Sequence, residues 1–248
     1  MYDAHEVLRA IDAHTVGIFG FLVVSVGGMY LWFGEGLRVA RRDGVYAFPA
    51  AVTLFYLAHD TSLVVRFDKW FGVYDHWFLK LWWAALVLTS VLEVLCLRQV
   101  WRYGRAELAP NLSRRAFGCA LVGAFVCTAL LWYAVKYALI ENAGAGDDLF
   151  MFSFGATVLF YPPFAIALML RRGSSAGQTV LMWLGFTGIG VGYFGATIVY
   201  FPPPFRSWEW IALGAASVIG SLLGAWLVRQ DQRHGILGKT PISSPQPA

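Results

Sequence analysis

Two carboxylates lie where a membrane-spanning stretch tolerates charge least. Asp60 falls late in the apolar run 45–66, directly after His59, and Glu93 falls in the run 78–99, one turn after Thr89 and Ser90. An ionisable side chain inside a span is costly and marks a candidate functional position. Enclosed by apolar groups, a carboxyl resists ionisation and keeps its proton, so it can act as a general acid at neutral pH. Aromatic faces attract cations, most strongly where water is excluded, and the 248 residues include 11 Trp, 11 Tyr and 19 Phe. A protonated acid beside an aromatic cavity is what protonation of an alkene or epoxide requires, with ring closure on the cation and a final proton loss. The competing reading of each carboxylate is an interhelical hydrogen-bonding group that fixes packing. Tyr56 lies one turn before Asp60 on the same face, at hydrogen-bonding spacing.

The elements that must position these groups are membrane spans. The chain is 58% hydrophobic and 14% charged, against about 25% charge in soluble domains. Apolar runs near 15–35, 45–66, 78–99, 117–139, 149–170, 178–200 and 209–228 are each long enough to cross a bilayer. Lipid cannot satisfy free backbone polar groups, so runs this apolar are helices. The fold expected is an all-α integral membrane protein: one seven-transmembrane-helix bundle over residues 1–230 and a polar, disordered tail over 231–248. Arg38, Arg41, Arg42, Arg98, Arg102, Arg105, Arg114, Arg115, Arg171, Arg172, Arg229, Arg233 and Lys239 collect on one side. By the positive-inside rule the N-terminus is outside and the C-terminus cytoplasmic. The mixed-charge N-terminus lacks the basic start of a cleaved signal, so the first run reads as a retained helix. A multi-pass protein of the cell membrane or an ER-type membrane follows, with the lipid bilayer as its surroundings.

Smaller signals are quickly placed. The net charge of +4 is modest and its basic residues punctuate the spans, which speaks against nucleic acid. Cys96, Cys119 and Cys127 lie in apolar stretches without metal-ligand spacing, so no metal and no cofactor is expected. Tyr161-Pro162-Pro163 predicts a kink in the fifth span. The glycines Gly188, Gly190, Gly192, Gly195, Gly220 and Gly224 predict close helix approach. Asp60 is expected about two turns below the outer surface and Glu93 in the cytoplasmic half, roughly 10 Å or more apart in depth. The outer loop after Asp60 is dense in charge and aromatics, with Asp68, Trp70, Asp75, His76 and Trp77. Trp132, Tyr133 and Tyr193 end neighbouring spans on the same side, and an interfacial aromatic belt is the alternative account of them.

In size and span order the chain resembles the small seven-helix integral-membrane terpene cyclases of fungal meroterpenoid and indole-diterpene pathways and their bacterial drimentine-type relatives. The residues carrying the resemblance are His59-Asp60, late in the second span, where fungal members usually have Trp-Glu. Those members carry a second acid in the last helix. The seventh span here has none internally, and Glu209 at its outer start is the nearest substitute. The resemblance implies a membrane-bound terpene cyclase acting on a lipophilic prenylated or epoxyprenylated molecule without metal. Asp60 would be the proton donor, tuned and reprotonated by Tyr56 or His59. Glu209 or Asp75 would be the second acidic element, and Trp132, Tyr133 and Tyr193 would line the cavity. Glu93 would be a structural polar group or would receive the final proton.

Two other classes stay open: a proton-coupled small-molecule transporter with Asp60 and Glu93 as relay positions, and a non-catalytic membrane subunit. A retinal-type photoreceptor shares the span number and orientation but is disfavoured, because the seventh span has no lysine for the chromophore and Lys136 is misplaced for it. Oligomeric state is not legible.

Overall fold

The computed structural model describes residues 2–141 and 146–238, without the side chains of 138–141. Among these, all regular structure is helical. A short α1 (Ala4–Ala13) precedes α2 (Thr15–Asp43) and α3 (Ala50–Val64). Then come α4 (Trp77–Tyr103), the single turn α5 (Arg105–Leu108), α6 (Arg114–Tyr133), α7 (Met151–Arg172), α8 (Val180–Tyr200) and α9 (Trp208–His234). Six of these segments are long and apolar enough to cross a membrane: α2, α4, α6 with its continuation to Tyr137, α7, α8 and α9. The chain is thus an all-α, multi-pass membrane protein by length and composition.

The run 45–66 folds differently from expectation. Its helix α3 has 15 residues, about 22 Å at 1.5 Å per residue. Pro49 occupies its N-cap, and Arg66 and Asp68 bring charge soon after its end. A π-helical turn at Lys69–Val73 follows. The expected kink at Pro162-Pro163 leaves α7 unbroken through Arg172. At the other end α9 runs into the expected tail as far as His234, where Gly235 caps it in a left-handed conformation. The remaining tail, 239–248 with Lys239, lies outside the described residues.

Burial on both sides of a lipid-facing helix is apolar, so packing here depends on close approach of small residues. The tightest seam joins α2 to α8: a methyl built on Gly28 would lie 2.4 Å from Gly185 O, and one on Gly192 2.5 Å from Phe21 O. The neighbouring α9 packs on α8 and α7, while α3 packs on α4 and α6. Trp32, Phe48, Tyr161, Trp183 and Phe186 knit α2, α7 and α8 together, with ring centroids 4.6–5.1 Å apart in the close pairs from Trp32 to Phe48, Tyr161 and Phe186, and from Tyr161 to Trp183 and Phe186.

The N-terminal helix is an element absent from the sequence reading. Val7, Leu8 and Ile11 are buried while Glu6, Arg9 and Asp12 face outward, the spacing of an amphipathic helix. Asp3 caps it through the His5 N–H. Tyr2 anchors it: its hydroxyl donates to Asp147 Oδ1 at 2.7 Å and accepts from the Leu149 and Met151 amides. Burial, then the Asp147 charge, pushes the Tyr2 phenol up from its ordinary value, so it remains a donor. Asp12 accepts from Trp77 Nε1 at 3.0 Å and pairs with His76 at 3.1 Å. The helix thereby covers the bundle end from which α4 and α7 start.

Candidate functional site

Asp60 is 7% exposed, near the C-terminal end of α3. His59 Nδ1 lies 2.8 Å from Asp60 Oδ1, and Thr89 Oγ1 lies 2.6 Å from Asp60 Oδ2. The His59 ring is 1% exposed, and its Nε2 has no hydrogen-bond partner. Trp132 packs on that ring at 5.2 Å and donates to Ser62 Oγ at 2.8 Å. Adjacent residues on a helix point about 100° apart, yet the short Asp60 side chain reaches back to the His59 ring while its second oxygen meets α4.

Asp60 opens onto a cleft of about 100 Å³ between α2 and α4. Leu22, Val26 and Met29 form one wall, Phe78, Leu81, Trp82 and Leu86 the other, with Phe154 and Tyr193 behind. Leu81 is half exposed, and Val26 and Trp82 are partly so. The mouth therefore lies on the flank of the bundle, within the apolar stretch of both helices. Ring pairs Trp82–Phe154 at 5.4 Å and Phe154–Tyr193 at 4.7 Å make the back wall aromatic.

A second chamber of about 40 Å³ lies deeper, lined by Trp32, Tyr56, Asp60, Thr89, Glu93 and Thr157 among apolar neighbours. It shares Met29, Asp60, Thr89 and Phe154 with the cleft. This corrects the expected separation of the two carboxylates. Because α3 and α4 pair Asp60 with Thr89, Glu93 lies only one helical turn further, about 6 Å along α4. Glu93 is 3% exposed, and its Oε2 has no partner.

Of three expected partners of Asp60, Tyr56 lines the inner chamber with it but is bonded to another group, and Glu209 and Asp75 lie apart. Tyr56 donates to the Thr157 carbonyl at 2.6 Å rather than to Asp60, whose two oxygens meet His59 and Thr89. Glu209 is exposed in the first turn of α9 and faces a separate outer groove with Phe152, Pro204, Ser207 and Trp210. Asp75 sits in water, paired to Lys80 at 2.6 Å with 68% of its side chain exposed. Neither acid converges on Asp60. Tyr133 is 60% exposed on the outer face of α6 and stacks on Tyr137 at 4.2 Å. Tyr193 does line the cleft, its hydroxyl donating to the Met151 carbonyl. Trp132 instead walls a third cavity of about 490 Å³ between α3, α6 and α7, lined also by Phe55, Phe152, Ser153 and Phe160.

Residues the sequence reading passed over include Trp32, Trp82, Phe154 and Thr89 as an Asp60 partner. Thr89 had a signal, a hydroxyl one turn from Glu93. The aromatic residues had none, since lipid-facing and cavity-facing positions are equally apolar. Among the described residues no cluster of His, Cys, Asp or Glu is arranged to hold a metal ion. No protein-family model, no curated protein and no solved structure matches the chain.

Proposed function

We propose that the chain is a membrane-embedded terpene cyclase in which Asp60 protonates a lipophilic prenylated or epoxyprenylated substrate. The observation carrying this reading is the hydrogen-bond set around Asp60. Thr89 has one hydroxyl proton and two oxygen neighbours, the Leu86 carbonyl at 3.0 Å and Asp60 Oδ2 at 2.6 Å. Thr89 donates to Asp60 Oδ2, and Oδ1 meets His59 Nδ1, so both carboxyl oxygens are held in place. In this reading Asp60 is the acid, and it lies beside Trp82, Phe154 and Tyr193, whose faces stabilise a cation.

In this reading the reactive end of the chain enters from the flank, between α2 and α4. Asp60 transfers its proton to an alkene carbon or epoxide oxygen, the cation closes a ring against the aromatic wall, and a C–H proton leaves. Seven crossings, with α3 as the short one, and an N-out, C-in orientation complete the proposal; the basic residues at the α2–α3, α4–α6 and α7–α8 junctions support the orientation. A cell or ER-type membrane houses it, and oligomeric state is left open. Membranes carrying the chain are fed prenylated and epoxyprenylated precursors and extracted for mass spectrometry. A product of unchanged mass and new retention time is expected, absent with Asp60→Asn while insertion is normal. Equal product from Asp60→Asn would overturn it. The chamber shared by Asp60 and Glu93 favours a second reading, a proton-coupled carrier, which predicts proton-dependent flux and no new product. The non-catalytic subunit gains no specific observation.

A further inference from the structure

Two buried polar atoms of chamber-lining residues lack a close hydrogen bond: Glu93 Oε2 on α4, and Trp32 Nε1 on α2, which has the Tyr161 hydroxyl as a weak acceptor. Both residues line the same cavity as Asp60 and Thr89. A buried, unsatisfied polar atom costs about 1–3 kcal/mol, and here one acceptor and one donor share a wall. The remaining lining is apolar except for Tyr56 and for Thr157, which donates its hydroxyl proton to the Phe154 carbonyl. Tyr56 spends its hydroxyl proton on Thr157. The chamber holds about 40 Å³, where one water takes about 10–15 Å³ and needs two to four polar partners. Two or three waters fit, with Glu93, Trp32, Asp60 and Thr89 as partners.

We infer that this chamber holds a small bound-water cluster, bridged between Glu93 Oε2 and Trp32 Nε1, that passes protons between Glu93 and Asp60. The water bridge stands on the geometry alone; its use in turnover rests on the cyclase reading. In that use Asp60 loses its proton to the substrate and becomes a carboxylate. Glu93 then passes its carboxyl proton through chamber water to Asp60, and the C–H proton released at the end returns through the same water to the Glu93 carboxylate so formed. One proton enters the substrate and one leaves it per turnover, so no co-reactant is needed. Glu93 is a relay residue and does not touch the substrate.

The test uses the purified full chain in lipid vesicles and infrared difference spectra on exchanging H₂O for H₂¹⁸O. A bound-water O–H band is expected in the wild type and absent in both Glu93→Leu and Trp32→Phe. No such band in the folded wild type, or its survival in either variant, overturns the inference. Should a variant fail to insert, ¹⁵N placed at Trp32 alone in the wild type decides: an indole N–H stretch that responds to H₂¹⁸O exchange sustains the bridge, and one that does not overturns it. With turnover, Glu93→Gln retains its first catalytic event and loses at least tenfold in steady state, whereas Asp60→Asn loses both; an unchanged Glu93→Gln steady state overturns the relay. Absence of any product defeats the cyclase reading and leaves the water measurements standing.

Discussion

Thr89 and Asp60 lock the register of α4 against α3: their 2.6 Å contact sets which turn of one helix faces which turn of the other. Everything deeper in the site follows from that pairing, including the position of Glu93 at the level of Tyr56. Thr89→Val keeps the shape and removes the hydroxyl, leaving Asp60 Oδ2 buried without its partner, at about 1–3 kcal/mol. Product formation should fall about tenfold to a hundredfold in the membrane assay, and Thr89→Ser should restore most of it. Full activity in Thr89→Val would remove Thr89 from the site.

The α2–α8 seam predicts an asymmetry between glycines on one helix. Gly28→Ala drives a methyl into Gly185 O, and overpacking of this kind costs about 1–3 kcal/mol. Gly20→Ala meets nothing within 4 Å and should gain about 0.5–1 kcal/mol from helix propensity. Thermal unfolding in detergent reads both, and equal midpoints would contradict the seam.

Tyr2→Phe deletes one donor to Asp147 and one acceptor for two amides. A hydrogen bond to a charged group contributes about 1.5–3 kcal/mol. The variant should show faster amide exchange across Ala4–Ala13 with α8 unchanged. Uniform exchange in both chains would mean that the phenol anchors nothing.

At the basic end, Glu107 receives Arg172 at 2.9 Å and is bonded by Arg171. Burial works to raise its pKa, but the Arg172 and Arg171 bonds outweigh it and hold the carboxyl below 4.5. A depressed folded pKa contributes stability that is complete above the unfolded value and is lost as pH falls through the folded one. Glu107→Gln should therefore be less stable than wild type at pH 7 by about 1.5–3 kcal/mol. The gap should close in acid, below the ordinary glutamate range. Parallel melting curves at all pH values would count against the ion pair.

Which features were legible in the sequence follows from how lipid treats side chains. Asp60 and Glu93 stood out because a charge in an apolar run is conspicuous wherever it points. Tyr133 and Trp132 are neighbours in a helix that is apolar all round, so no polar face marks which one turns outward. Glu209 and Asp75 were placed near Asp60 by height alone, and height at a helix end does not fix azimuth. The run 45–66 reads as a full span by composition, but Pro49 fixes where its helix starts and Arg66 follows just beyond where it stops. The helix over Ala4–Ala13 was hidden by its charges, which line one face and leave Val7 and Ile11 on the other.

The cleft beside Asp60 opens sideways, between two helices, within the apolar stretch of each. The substrate of the proposed cyclase would arrive by diffusion in two dimensions, and its working concentration would be a mole fraction in lipid rather than a molarity in water. Half-saturation should then scale with the amount of bilayer supplied. Diluting a fixed quantity of protein and ligand with empty vesicles would lower occupancy, while diluting the same vesicles with buffer would leave it almost unchanged.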